Sequence, residues 1–241
     1  MQQTSSHALL QVFASNGVDR VFLVPGESYL GVLDALSDFP GIDVVTCRHE
    51  GGAGFMAVAD GRLAGRPGVV MVSRGPGATN ASIAVHTAQQ DAVPLILLIG
   101  QIPKRDLRPV AKWVAEPTEP EQLAEVAFKA MRIATSGTPG PVVIVIPEDI
   151  QQQAVTVPAW KAPEKGASMP AGAALATLRA RIAAAKRPLL IAGGKFDVPG
   201  GREALQAFAG AWNIPVAVSF RRHDVFDTTH ALYVGDLGLA N

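Results

Sequence analysis

Six short apolar runs, at 20–24, 43–47, 68–73, 95–100, 112–115 and 142–146, recur through the first 150 residues with amphipathic stretches between them. Most are near-continuous Val, Ile and Leu. A strand covered on both faces reads this way, whereas a strand with one wet face alternates apolar and polar residues. The intervening stretches predict helices at 6–16, 29–37, 51–64, 78–90 and 119–134. Gly17 stands at the C′ position of the first. Thr118 and Glu121 have the spacing of a capping box before the last, and Leu123, Val126, Ala127, Ala130, Met131 and Ala134 share one of its faces. Strand–helix alternation with short connections predicts an α/β domain over 1–150, an open parallel sheet with helices on both faces.

The composition changes after Ile150. Gln151-Gln152-Gln153, then Pro158, Pro163, Gly166 and Pro170, predict a linker over 151–170. A second, Rossmann-like unit over 171–241 begins with an Ala-rich helix at 171–185. A strand at 188–192 ends in Gly193-Gly194, a helix at 201–212 carries Leu205, Phe208, Ala209 and Trp212 on one face, and a strand follows at 214–219. That is one βαβ unit, with no further strand expected before Asn241. Two strands make a poor sheet, so this reads as a partial domain.

Hydrophobic residues at 48% and charged residues at 17% exclude a disordered chain. Lys+Arg and Asp+Glu both number 21, so the formal net charge is zero and no electrostatic footprint for nucleic acid or an anionic membrane is present. No apolar run approaches the roughly 20 residues of a membrane span. The opening Met1-Gln2-Gln3-Thr4-Ser5-Ser6 lacks the charged and then apolar segments of a signal peptide. The single cysteine, Cys47, precludes an internal disulfide and fits a reducing cytosol, so a cytoplasmic location is expected.

Three loops follow strands, where open α/β sheets bind ligands. Val24-Pro25-Gly26-Glu27-Ser28 is a tight turn that brings backbone close to whatever lies above the sheet; alone it reads first as a plain strand-to-helix connection. In Cys47-Arg48-His49-Glu50-Gly51-Gly52-Ala53 the acid sits where a strand ends and a helix begins. Glu50 can be an ordinary capping acid, favoured by the helix dipole. It can equally be functional, because Gly51, Gly52, Ala53 and Gly54 give so little side-chain cover that another surface can approach and take the carboxyl out of water. The third loop, Ser73-Arg74-Gly75-Pro76-Gly77-Ala78-Thr79-Asn80, almost matches G-x-G-x-x-G, with Asn80 in place of the last glycine. That is a weak signal after a third strand, since the dinucleotide fingerprint belongs to the first. No Ser-His-Asp arrangement, G-x-S-x-G elbow or metal-ligand spacing is present. His49, His7, His86, His223 and His230 read as structural or solvated, and Cys47 as inert core.

In this order the loops resemble the pyrimidine-binding domain of thiamine-diphosphate enzymes, the acetolactate synthase group above all. The resemblance rests on Val21-Phe22-Leu23-Val24-Pro25-Gly26, Arg48-His49-Glu50-Gly51 and Ser73 through Asn80. It continues in Asp91-Ala92-Val93-Pro94, Gly100-Gln101-Ile102-Pro103, Thr138-Pro139-Gly140-Pro141-Val142 and Ile146-Pro147-Glu148-Asp149, covering about residues 5–150. From Arg187 onward the chain resembles, less specifically, the central domain of the same enzymes.

The resemblance implies that Glu50 contacts N1′ of the cofactor's aminopyrimidine and promotes the imino form that deprotonates the thiazolium. The activated cofactor then attacks a 2-oxo acid, carbon dioxide leaves, and the remaining carbanion is carboligated or protonated. It implies thiamine diphosphate as cofactor, with Mg²⁺ held by a domain outside this sequence and no metal ligands here. Pro25, Gly26, Ser73, Pro76, Gly77 and Asn80 are the implied cofactor-binding residues beside Glu50. FAD stays open at Gly193-Gly194-Lys195 and Ser219-Phe220-Arg221. A homodimer or homotetramer is implied, with the helix beginning Gly51-Gly52-Ala53-Gly54 at the contact, and the chain alone is expected to be inactive.

The sequence departs from the family in three ways. The Gly-Asp-Gly motif is absent. Relative to the family, a loop of about 15 or more residues is expected to be absent after Leu107. Glu27-Ser28 replaces the usual Gly-Ala, which leaves oxalyl-CoA decarboxylase and benzaldehyde lyase types open. Two competing readings stand beside this one. A nicotinamide-dependent oxidoreductase would need a Gly-rich turn that Pro25-Gly26-Glu27 does not supply. A non-catalytic binding or regulatory module would keep only the fold.

Overall fold

The computed structural model describes residues 3–100, 110–156, 158, 160 and 169–238. Gln101-Ile102-Pro103 and the expected shortening after Leu107 lie outside the described residues. The chain divides into two compact units, Met1–Glu164 and Lys165–Asn241.

The first unit runs β1 (Gln3–Thr4), α1 (Ser5–Ser15), β2 (Arg20–Leu23), α2 (Leu30–Leu36), β3 (Asp43–Thr46), α3 (Glu50–Ala64), β4 (Gly68–Val72), α4 (Pro76–Gln90), β5 (Leu95–Gly100), β6 (Trp113–Ala115), α5 (Gln122–Thr135), β7 (Pro141–Ile146) and β8 (Ala154–Val155). Its six-stranded sheet has the order β3-β2-β4-β5-β7-β6, and every pairing in it is parallel. The continuous apolar runs have the expected cause. Alternate residues serve two separate cores. Val69, Met71, Ile96 and Leu98 point to the face covered by α1, α2 and α5. Val70, Val72, Leu97 and Ile99 point to the face covered by α3 and α4.

The loop turns have local causes. Gly17 takes φ +80° after α1, as its C′ position requires. Lys112 Nζ donates to the carbonyls of Ile133, Ser136 and Thr138 at 2.6, 2.5 and 2.9 Å, satisfying the end of α5.

Several expectations are corrected. β3 is an edge strand and its side chains are largely exposed, Val44 by 45%; a continuous apolar run does not by itself certify two covered faces. The capping box does not form. Glu121 makes no side-chain cap, because Gln122 Oε1 accepts the Thr118 N–H first, at 3.0 Å. The segment expected to open the linker belongs instead to the first unit, since Ala154–Val155 pairs antiparallel with Gln3–Thr4. The histidines read as structural or solvated have partners the sequence does not show: His7 bonds Thr4 and Asp38, His86 meets Gln90, His223 approaches Asp236, and His230 accepts the Leu232 N–H.

The second unit contains α6 (Gly172–Ala184), β9 (Leu190–Ala192), α7 (Gly201–Trp212), β10 (Val216–Ser219) and β11 (Tyr233–Leu237). β11 overturns the two-strand expectation: it pairs parallel with β10 and makes a three-stranded sheet, β11-β10-β9. Leu205 and Ala209 of α7 pack with Ala192, Val216, Val218, Val225 and Phe226.

Candidate active site

The chain passes from β2 outward to β3, then crosses back to β4 on the other side of β2. Strand order therefore reverses between β2 and β4, and the crevice at their carboxyl ends is the natural ligand position. Gly26 follows β2 and Ser73 follows β4, so the two flank that crevice. They are in direct contact: a Cβ on Gly26 would lie 2.7 Å from Ser73 Cβ and 3.0 Å from its Oγ.

Glu50 is the first residue of α3 and is half-buried. His49 caps that helix, its Nδ1 accepting the Gly51 N–H at 3.1 Å, which gives the histidine a structural task. Asn80 Nδ2 donates to Glu50 Oε2 at 2.9 Å from the second turn of α4. Glu50 Oε1 faces Gly77, where a Cβ would stand 3.3 Å from it and 3.6 Å from Ser73 Cβ. Gly26, Ser73, Gly77, Glu50 and Asn80 therefore form one continuous group. Pro25 and Pro76 enter it through the chain, as neighbours of Gly26 and Gly77. Pro76 opens α4 behind Gly75, whose φ of +58° makes the turn. Gly26 and Gly77 leave bare backbone in this group, with the Glu50 carboxyl beside Gly77.

Sequence reasoning missed Tyr29, Ser28 and Gln151. The Tyr29 hydroxyl donates to the Val24 carbonyl and closes the first loop on itself. Burial pushes the Tyr29 phenol above its ordinary range, and the charge of Glu50 pushes in the same direction. The available signal was a polar residue and an aromatic directly behind a glycine turn. Cys47 is buried, and its thiol is pushed up by that burial.

In the second unit, Gly194 lies under the Arg222 guanidinium, 2.9 Å from Cζ to a Cβ placed there. Arg222 also meets Asp197 at 3.3 Å. Among the described residues no group of three or more His, Cys, Asp or Glu is arranged to hold a metal ion, and no helix is long and apolar enough to cross a membrane.

The fold and the site together describe an α/β domain with a parallel sheet and the Glu50 carboxyl beside its strand switch point. A profile described as "Thiamine pyrophosphate enzyme, N-terminal TPP binding domain" matches residues 3–126, and one described as "Thiamine pyrophosphate enzyme, central domain" matches 175–241. The chain belongs to the thiamine pyrophosphate enzyme family, which is the family the three loops resemble. It is 33% identical over 260 residues to the acetolactate synthase isozyme 3 large subunit of Escherichia coli, covering 98% of this chain and 45% of that one. It is 30% identical to the acetolactate synthase large subunit of Lactococcus lactis, covering 98% and 44%. A solved Mycobacterium smegmatis protein, assigned as a thiamin diphosphate-dependent enzyme, superposes with a TM-score of 0.88 at 27% identity, over 99% of this chain and 49% of that one. The chain thus spans less than half the length of each of these proteins.

Proposed function

We infer that this chain supplies the aminopyrimidine half of a thiamine diphosphate site in an enzyme of the acetolactate synthase type, which decarboxylates a 2-oxo acid and joins the product to a second carbonyl. The observation that carries the reading is the Glu50 carboxyl, fastened at Oε2 by Asn80 Nδ2 at 2.9 Å and facing bare backbone at Gly77 on its Oε1 side. The residues fit the group. A flat heteroaromatic ring needs close backbone approach, and side chains at Gly26 and Gly77 would fill that space.

When bound, thiamine diphosphate supplies the electron sink for cleaving the bond between a 2-oxo acid's carbonyl carbon and its carboxylate. The protein's part is to hold and move a proton. Asn80 holds Glu50 at Oε2, so Oε1 would be the oxygen left to hold or give up a proton toward a bound aminopyrimidine ring. Gly26, Ser73 and Gly77, with Pro25 and Pro76 beside them, form the wall against the ring.

Mg²⁺ and the diphosphate are expected on residues other than these, so the 241-residue chain alone should not release carbon dioxide from pyruvate with cofactor and Mg²⁺ at saturation. A second copy of the chain is the expected partner. Gly52, Phe55, Met56 and Leu63 stand on one face of α3, all exposed. Gly52→Leu should weaken that self-association, read as a shift toward monomer in sedimentation.

The decisive experiment is Glu50→Gln in the active enzyme. The change keeps the shape and removes the transferable proton. Exchange of the cofactor C2 proton should fall by at least about a hundredfold, within the usual range for a lost general acid–base group. Exchange and turnover near wild-type rates would overturn the assignment.

A further inference from the structure

Ser5, Ser6, Ser28 and Gln151 are the polar residues buried in the first unit among the described residues. Hydrogen bonds join all of them into one chain that ends at the candidate site. The Ser5 and Ser6 hydroxyls donate to the Gln151 carbonyl at 3.1 and 2.8 Å. Gln151 Nε2 donates to the Ser28 carbonyl at 2.9 Å and to the Pro147 carbonyl at 3.3 Å.

Ser28 is the hub. It is completely buried, in the loop after β2. Its Oγ accepts the Arg74 N–H at 3.3 Å and shares a hydrogen bond with the Ser73 hydroxyl at 3.1 Å, which fastens the loop after β4. It also packs on Gly100 at the end of β5, where a Cβ would lie 2.8 Å from the Ser28 carbonyl oxygen and nearer still to its side chain. Gln151 adds the segment after β7. One residue thus touches the carboxyl ends of four strands.

The orientation of Gln151 says why it is a glutamine. Two carbonyl acceptors on one side require the nitrogen there. Its Oε1 is left against Gly31, 3.2 Å from a Cβ placed there, and has no hydrogen-bond partner among the described residues. An orphaned buried acceptor is destabilising, and an apolar side chain of the same shape would avoid it. The benefit must lie at the other end of the amide, in the hold on Ser28. The ion pairs of Arg74 with Glu27 and Glu148, at 2.8 and 2.5 Å, join the same loops from outside. They are exposed, and such pairs contribute little.

We propose that Ser28, held by Gln151, is a positioning residue: it fixes the spacing of the loops after β2 and β4, and through that spacing the affinity of the site for an aminopyrimidine ring. This rests on the thiamine diphosphate reading above. The test uses the 241-residue chain as wild type, Ser28→Ala, Gln151→Met and the double variant Glu27→Gln/Glu148→Gln. Amide hydrogen exchange is measured without ligand. Each protein is then titrated with 4-amino-5-hydroxymethyl-2-methylpyrimidine, following the amide resonances of Gly26, Glu50 and Gly77. In Ser28→Ala and Gln151→Met, exchange should accelerate in 24–29 and 73–80 and stay unchanged in β5 and β7. Pyrimidine affinity should fall by roughly threefold to tenfold, the equivalent of one hydrogen bond. The Glu27/Glu148 variant should resemble wild type in both readouts. Either buried-site variant suffices if the other fails to fold. Loop exchange unchanged in the variants, or pyrimidine binding as tight as wild type, would overturn the positioning role. A wild-type chain whose Gly26, Glu50 and Gly77 resonances ignore the pyrimidine would instead overturn the cofactor reading on which the role depends.

Discussion

Gly68→Ala should be among the most damaging single-methyl additions in the first unit, because of where that methyl must go. Gly68 begins β4, buried beneath α3. A Cβ there would lie 2.7 Å from the carbonyl carbon of Ala57, nearer still to its oxygen, and 3.1 Å from the Gly61 nitrogen. Ordinary van der Waals contact begins at 3.4 Å, so the helix must retreat by at least 3.4 − 2.7 = 0.7 Å. The obstacles are backbone atoms, which have no rotamer to yield. Overpacking of this kind costs typically 1–3 kcal/mol, and backbone against backbone belongs at the upper end, about 3 kcal/mol. With a urea m-value of about 2 kcal/mol/M, the midpoint of the first unit's unfolding should fall by about 1.5 M without a change in slope. Gly41→Ala is the matched control. Nothing lies within 4 Å of a Cβ there and its φ is not positive, so that change should be neutral or stabilise by up to about 1 kcal/mol. Equal midpoints for the two variants would refute the close packing of α3 on β4. Because Glu50 is the first residue of α3, the same retreat should also disturb the site.

Asn80→Ala should lower turnover of the active enzyme by about tenfold, the loss of one hydrogen bond to a charged group, and Asn80→Asp should lower it further by setting a like charge against Glu50; steady-state kinetics would show both. The Tyr29 phenol, held protonated by burial and by the charge of Glu50, contributes stability that is fully present below its unfolded pKa of about 10 and lost as pH rises through the higher folded value. Ultraviolet titration should therefore find one tyrosine that resists ionisation until the fold opens, and Tyr29→Phe should remove that behaviour. Cys47 follows the same sign, since its thiol is raised by burial. Its stabilising contribution is complete below about pH 8.5 and lost above, and a thiol reagent should label the native chain far more slowly than the urea-unfolded one.

The sheet was legible because its strands announce themselves: Leu95–Gly100 and Pro141–Ile146 are buried at every position, and a run of that kind has few alternatives. Tyr233–Leu237 was invisible by the same logic. Its Gly235 and Asp236 are poor strand formers and it is exposed or half-exposed throughout, so it is a strand because β10 offers it a ladder, not because its own residues demand one. The Thr118–Glu121 capping box failed for a related reason. A short-range motif competes with its neighbours, and here Gln122 Oε1 takes the Thr118 N–H.

The site divides along a different line. Loops that follow strands can be found in a sequence, and so can a glycine-flanked acid. The contacts that turn them into one site cannot, because they join residues with no local relation: Asn80 reaches Glu50 across 30 positions and Gln151 reaches Ser28 across 123. What makes these long-range pairs possible is again the parallel sheet. Parallel strands in register deliver the starts of α2, α3 and α4 and the segment after β7 to the same edge. The catalytic candidates and the side chains that hold them therefore meet wherever the sheet closes correctly. An error in strand order would separate Gly26 from Ser73 and leave Glu50 without Asn80. The hydrophobic pattern that specifies the fold is for that reason also what brings the chemistry together, even though none of its residues takes part in it.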